Sequence, residues 1–336
     1  MVADEHDLLA AQVDDFFLRS RLANPQHRED CFDFVRKSFP GKPVALAACQ
    51  GYCSLTLFVG DATVVQFRPW SYRLDLTIAN LAHDLYGSFA PETKYLTTLS
   101  ASGLLVYGMD RIDGISYKTL RVSKPSVEQR QMLCKDLAIF LSQSWNQSKQ
   151  EHVALGNIGL SIVPRLKSLI MDLPTRFQAK AKAILRDIHR IEALPWVLTH
   201  GDVVASNIMV NAASGRLTGL VDWAEAEYLP FGVCMYGLEE VLGQMTTSGF
   251  EYRDEEVLRA AFWTELEAQI PALRERSTLE AVKLARDLGI LLWHGIAFDD
   301  GQIDRVVQEG RDIDEIHRLD AFLDIGQNLG EKSSKI

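Results

Sequence analysis

Apolar residues near the start of the chain recur every three or four positions. Leu8, Leu9, Val13, Phe16 and Phe17 share one face of a helix expected over Asp7 to Arg21. A second helix is expected over His27 to Phe39, closed by Pro40-Gly41. The pattern then changes. Val44 to Phe58 and Thr63 to Phe67 are runs of β-branched and apolar residues broken at Gln50-Gly51 and Gly60-Asp61. Such runs read as strands joined by tight turns. A helix over Tyr72 to Tyr86 and two more strands, Lys94 to Leu99 and Leu104 to Tyr107, lead into a turn at Gly108-Met109-Asp110-Arg111.

From Ser126 onward the period is helical. Ser126 with Gln129 three residues later has the form of a capping box, and Leu133, Leu137, Phe140, Leu141 and Trp145 continue as one apolar stripe. Further helices are expected over Ser161 to Asp172, Arg176 to Glu192, Leu238 to Met245, Asp254 to Gln269, Leu279 to Ile296 and Ile313 to Asn328. A non-helical island, Trp196 to Asp222, interrupts them. The chain divides on this pattern into an N-terminal helical extension (1–40), a small sheet-rich lobe (41–110) and a larger helical lobe (111–336), an α+β arrangement.

Composition agrees with two cores. The 336 residues are 47% hydrophobic and 24% charged, too apolar for a disordered chain. No apolar run approaches the ~18 residues of a membrane span, so no membrane partner is expected. The opening residues, Met1 to Asp7, are acidic and hold no apolar signal core, which predicts no secretory leader. The five cysteines (31, 49, 53, 134 and 234) are scattered, and Cys49 and Cys53 lack Cys-x-x-Cys spacing. A reduced, cytoplasmic setting follows. Net charge is −10, from 35 basic and 45 acidic residues, which argues against nucleic acid as a partner. The acidity suits a cationic substrate or serves solubility alone.

The island carries the chemistry. An apolar strand delivers His200, Gly201, Asp202 and Asn207 on a polar loop. A strand pair, Ile208 to Val210 and Leu217 to Val221, turns at Asn211 to Gly215 and delivers Asp222. Phosphoryl transfer needs metal ions to neutralise phosphate charge and a group to orient the attacking hydroxyl. Magnesium takes one or two carboxylates with other oxygen donors, which Asp222 and the Asn207 amide oxygen supply. Asp202, five residues before Asn207, is placed to orient or accept the hydroxyl proton, the spacing of a kinase catalytic loop. Gly201 lets the loop approach closely without a Cβ.

His-Gly-Asp-x-x-x-x-Asn followed by Val221-Asp222-Trp223 resembles the aminoglycoside phosphotransferase and choline kinase group, and is similar to its fungal members. The match is close over about 40 residues, Leu194 to Gly232. The resemblance implies a bilobal, protein-kinase-like α+β fold with a small antiparallel-sheet N-lobe and a helical C-lobe. It implies ATP and Mg2+ as cofactors, a small-molecule hydroxyl as acceptor, and a structural role for His200 in ordering the loop. It also places the nucleotide in the small lobe. Gly51 and Ser54 then lie in the phosphate loop, although Ala48 to Ser54 reads equally as a plain hairpin turn. Arg68 stands where the family's strand lysine is expected, or is a strand-end surface residue. Asp75 is the better candidate for its acidic partner, and Met109 falls in the hinge that pairs adenine.

On the acceptor side Glu225, Glu227 and Trp293 suit an amine-bearing substrate, with Asp299, Asp300 and Asp304 nearby in sequence; a solvated acidic face is the alternative. Two functions remain open on the sequence. One is a small-molecule kinase, for which the set Asp202, Asn207 and Asp222 is complete. The other is a catalytically weak binding or regulatory protein, for which the missing lysine and the single loop glycine speak. No Ala-Pro-Glu follows Asp222 as it would in a protein kinase.

Overall fold

Two helices open the chain, α1 (Glu5–Arg19) and α2 (Pro25–Ser38). The Asn24 side chain starts α2 by accepting the Gln26 N–H, and Pro25 takes the first helical position, where a missing N–H costs nothing. Five strands follow: β1 (Val44–Leu46), β2 (Leu55–Val59), β3 (Thr63–Arg68), β4 (Thr93–Thr98) and β5 (Leu105–Asp110). They form one antiparallel sheet in the order β1-β2-β3-β5-β4. Along β2, Leu55, Leu57 and Val59 are buried, while Thr56 and Phe58 are half-buried, as a period of two requires. That buried row shares one core with Val13, Phe16 and Phe17 of α1 and Cys31 and Val35 of α2. The two opening helices are thus part of the sheet's own core.

The computed structural model describes residues 5–48, 50–148, 155–299 and 302–324. Cys49, Asp300, the expected helix beyond residue 324, and the side chains of Leu8, Asp299 and Asp304 lie outside what is described. The chain divides into two compact units, 1–113 and 114–336. In the first, the expected helix from Tyr72 begins only at Leu76, as α3 (Leu76–Tyr86), because Trp70–Tyr72 forms a 3-10 turn and Asp75 caps the helix. Gly108 to Asp110, expected as a hinge turn, instead completes β5. Met109 lies between Val64 of β3 and Thr93 of β4, inside the ladder.

The second unit runs β6 (Ile115–Ser116), α4 (Tyr117–Val122), α5 (Val127–Asn146), α6 (Ile162–Asp172), α7 (Thr175–Arg186), α8 (Ile188–Glu192), β7 (Trp196–Thr199), β8 (Ile208–Val210), β9 (Leu217–Leu220), β10 (Glu227–Pro230) and α9 (Tyr236–Leu242). Then come β11 (Gly243–Thr246), β12 (Gly249–Tyr252), α10 (Glu255–Gln269), α11 (Arg276–His294), β13 (Ile296–Asp299), β14 (Gln302–Val306) and α12 (Ile313–Phe322). The capping box of α5 is present in both directions, with Gln129 N–H to Ser126 Oγ at 3.2 Å and Ser126 N–H to Gln129 Oε1 at 2.9 Å. The helix expected over Arg176 to Glu192 is two helices, broken at Asp187. The hairpins β11–β12 and β13–β14 were not expected, and the first displaces the end of a predicted helix. All seven residues of α9 are buried. Among the described residues no helix is long and apolar enough to cross a membrane.

Candidate active site

Strand β7 pairs with β10 and hands the chain to His200, which is 2% exposed. Its Nε2 lies 2.9 Å from the Val221 carbonyl and so carries the proton. Nδ1 then accepts the Asp202 backbone N–H at 3.2 Å. The ring tilts against Trp223 with centroids 4.6 Å apart. Burial pushes its pKa down to about 4, so the imidazole stays neutral and its tautomer is fixed. His200 thereby ties the loop after β7 to the chain after β9.

Gly201 has a φ of +76°, and a Cβ there would stand 2.0 Å from the Glu225 carbonyl oxygen. Only glycine meets both conditions. From α9 the Tyr236 hydroxyl donates to the Gly201 carbonyl at 3.1 Å and accepts the Val203 N–H at 3.0 Å. The backbone on both sides of Asp202 is therefore held from outside the loop. Tyr236 stands 35 residues from Gly201, too far for any local pattern to announce it. The available signal was a tyrosine, whose hydroxyl needs a partner once buried.

Asp202 is half-buried. Its Oδ2 accepts Asn207 Nδ2 at 2.8 Å, and the same nitrogen donates to the Asp202 carbonyl at 3.1 Å. The carboxyl is pushed up to about 7, first by burial and then by the negative charge of Asp222, with smaller contributions from Glu225 and Glu240 and an opposing one from Asn207. The Asn207 amide turns its nitrogen to Asp202 and its oxygen away, towards Ser206 Oγ at 3.5 Å. The hairpin β8–β9 pairs Ile208 with Leu220, and the Val221 N–H donates to the Asn207 carbonyl at 3.0 Å. This register carries exposed Asp222 to the level of Asn207. Asp222 is left-handed, with φ 64° and ψ 67°, a conformation that aspartate tolerates better than most residues. One amide oxygen and one carboxylate on neighbouring strand ends are hard donors of the kind magnesium takes together with phosphate oxygens.

The three acceptor-side residues part company. Glu225 is exposed and its charge reaches Asp202. Glu227 turns both oxygens to the backbone, accepting the N–H groups of Ile158 and Gly159 at 3.0 and 2.9 Å. It anchors the segment before α6 rather than presenting a free carboxylate. Trp293 stacks on Tyr236, with centroids 5.0 Å apart and planes 11° apart, and so backs the residue that holds the loop.

In the first unit Arg68 ends β3 and is 2% exposed, which removes the surface alternative. Its Nε donates to Gln66 Oε1 at 2.9 Å and its Nη1 to the Tyr72 carbonyl at 3.3 Å. Asp75 accepts the N–H groups of Thr77 and Ile78 at 2.9 and 3.2 Å, so the expected partner of Arg68 is a helix cap instead. Ser54 is buried with its hydroxyl 3.2 Å from Thr56 Oγ1. Gly51 is exposed, and a Cβ there would meet nothing closer than Ser54 Oγ at 3.8 Å. The residue that shapes this loop is Gln50, which the sequence did not single out. Its Nε2 donates to the Ala47 and Thr56 carbonyls at 3.0 and 2.9 Å, and its Oε1 accepts the Thr56 N–H at 2.8 Å. A side chain here replaces the missing rung of a strand ladder.

Residues 81–233, from within α3 to the turn before α9, match the model of the phosphotransferase enzyme family. The resemblance is to the aminoglycoside phosphotransferases. Among solved structures, the GDP complex of wild-type aminoglycoside 2'-phosphotransferase-IIIa is 16% identical with a TM-score of 0.56, covering 81% of this chain and 91% of that one. The aminoglycoside phosphotransferase APH(4)-Ia is 15% identical with a TM-score of 0.54, covering 89% and 99%. The GDP and kanamycin complex of APH(2")-IIIa is 14% identical with a TM-score of 0.51, covering 79% and 90%. No curated protein sequence matches the chain. The fold is that of these phosphotransferases: protein-kinase-like, with a small antiparallel sheet in one unit and a larger helical second unit.

Proposed function

We propose that this chain is an ATP- and Mg2+-dependent phosphotransferase that moves the γ-phosphoryl group to a hydroxyl of a small molecule. The observation that carries the reading is the 2.8 Å clamp of Asn207 on Asp202, on a loop bonded to Val221, between the end of β9 and Asp222. Phosphoryl transfer asks for position and charge neutralisation more than for covalent chemistry. Asp202, with its proton affinity raised towards neutrality, orients the acceptor hydroxyl and takes its proton. Asn207 and Asp222 would hold Mg2+, which when bound draws charge off the phosphates. His200 and Gly201 keep the loop in shape. Arg68 supplies a permanent cation to phosphate oxygens. Gly51 and Ser54 contribute backbone donors, and Met109 contributes its side chain to the nucleotide.

The second reading, a binding protein with little turnover, draws on Asp75, whose carboxylate caps α3. The two readings separate in one experiment. Transfer of labelled phosphate from ATP to a panel of hydroxyl compounds is measured for the parent and for Asp202→Ala. Transfer by the parent that the variant loses supports the enzyme. Tight ATP binding without transfer to any acceptor or to water supports the binding protein.

A further inference from the structure

The second unit holds a cavity of about 680 Å³ walled by α4, the start of α5, the end of α9 and the β11–β12 hairpin. In a chain of net charge −10, this wall is basic. Lys118, Arg121, Lys124, Arg130, Arg253 and Arg318 line it against only two carboxylates, Glu240 and Glu251. Three of the cations are engaged within the fold. Arg130 meets Asp254 at 3.3 Å and the Val241 and Leu242 carbonyls at 3.2 and 2.8 Å. Arg318 meets Glu240 at 3.1 Å, and Arg253 meets Asp254 at 3.6 Å. Glu251 is drawn back onto the hydroxyls of Thr246 and Ser248, at 3.0 and 2.7 Å.

The remaining three cations sit on α4 and the turn after it. Arg121 Nη1 donates to the Glu240 and Gly243 carbonyls at 3.3 and 3.0 Å. That contact fixes its guanidinium at the wall without neutralising it. Lys118 and Lys124 are exposed, and none of the three has a carboxylate partner among the described residues. The cavity also adjoins the 200–207 loop. The Lys118 N–H donates to the Ala205 carbonyl at 2.8 Å, and Glu240 on the wall is one of the charges that Asp202 feels.

We propose that this cavity holds an anionic group of the acceptor, a phosphate or a carboxylate, so that the acceptor is an anionic hydroxy compound and not an amine. Calling the ligand an acceptor rests on the phosphotransferase reading; the anion site does not. A fixed guanidinium with two ammonium groups beside it is a strong receptor for such oxygens, and it repels a cation.

Two measurements on the full chain test this. In the first, glycerol 3-phosphate, glycerate, glycerol and ethanolamine are titrated calorimetrically without ATP, and the two anions distinguish phosphate from carboxylate. At least one anion is expected to bind about tenfold or more tightly than glycerol or ethanolamine, and Lys118→Glu with Lys124→Glu to remove that preference. Arg121→Gln is the second variant, accepted only if its circular dichroism and melting match the parent. In the second measurement, the lysine double variant should raise KM for the anionic acceptor about tenfold while leaving kcat and the ATP KM in place. Anion binding without any transfer keeps the site and removes the phosphotransferase reading. Transfer to ethanolamine by the parent, with no transfer to either anion, overturns the site and keeps the reading. Failure of both anions to bind, or anion binding that survives all three substitutions, overturns the site as well.

Discussion

Each unit has a polar loop that follows a short strand, and the two loops use their own polar side chains differently. Between β1 and β2 the polar side chains turn inward: the Gln50 amide binds Ala47 and Thr56, and Ser54 turns to Thr56, while α1 adds two bonds, Gln12 Oε1 accepting the Gln50 N–H at 3.2 Å and Arg19 donating to the Tyr52 carbonyl at 3.3 Å. After β7, residues 200–207 are held by residues elsewhere in the chain, through Val221, Tyr236 and the close passage of Glu225. A loop that secures its own shape uses up its polar side chains in doing so. A loop secured from outside leaves its acids free of structural duty, and at Asp202 burial first and the neighbouring charge of Asp222 second raise the carboxyl to about 7.

The largest expected effect is at that acid itself. Asp202→Ala should lower kcat by on the order of 10²–10⁴ while circular dichroism stays unchanged, because His200, Tyr236 and the Asn207 bond to the Asp202 carbonyl still hold the loop backbone. A kcat within twofold of the parent on the true acceptor would sink the assignment. The two glycines sharpen the contrast. Gly201→Ala places a Cβ 2.0 Å from a backbone oxygen at a left-handed φ, and should cost about 2–4 kcal/mol in denaturant unfolding. Gly51→Ala has open space and no left-handed φ, and should stay within about 0.5 kcal/mol of the parent. Equal costs at the two positions would erase the distinction.

Smaller effects follow from the holding residues. Tyr236→Phe leaves the Val203 N–H and Gly201 carbonyl without their hydroxyl and should cost about 1–3 kcal/mol. It should also lower kcat with the ATP KM unchanged, as steady-state kinetics can show. Gln50→Ala should cost about 1–2 kcal/mol and raise the ATP KM more than it changes kcat, since the loop it shapes is the one proposed to donate to the nucleotide. A separate effect is on the response to acid. His200 and His294 are buried, with pKa values pushed down from 6.5 to about 4 and about 3. The unfolded chain takes up these protons first as pH falls, so the stability they allow is complete above about pH 6.5 and is lost progressively below it. His294→Phe should flatten that loss by one proton, about 1.4 kcal/mol per pH unit, in urea unfolding between pH 6 and 4.

Much of this was legible in local patterns. Helix periods, the Ser126–Gln129 box and the strand–loop–strand island all announce themselves within a few residues, because their causes are local. Asp202, Asn207 and Asp222 were visible for the same reason: one short hairpin carries them. What escaped depends on partners far along the chain. Tyr236 acts across 35 residues and Glu227 across 68 or 69. The hinge turn drawn at Gly108 to Asp110 gave way to strand because β3 and β4 were there to pair with it. Asp75, drawn as a partner for Arg68, was nearer to two helix N–H groups in need of an acceptor.

Helix α9 has a consequence for the order in which the chain is made. Its two consecutive buried glutamates depend on cations encoded later: Glu239 on Arg259 and Arg286, and Glu240 on Arg318. Its tyrosine, which holds the loop around Asp202, leans on Trp293. A nascent chain that has already emitted the whole catalytic loop therefore cannot yet seat it, since burying α9 would strand two carboxylates. The loop acquires its shape only as translation nears the end of the second unit. A message cut short before Arg259 would carry Asp202, Asn207 and Asp222 but none of the cations that pair the α9 glutamates, nor Trp293.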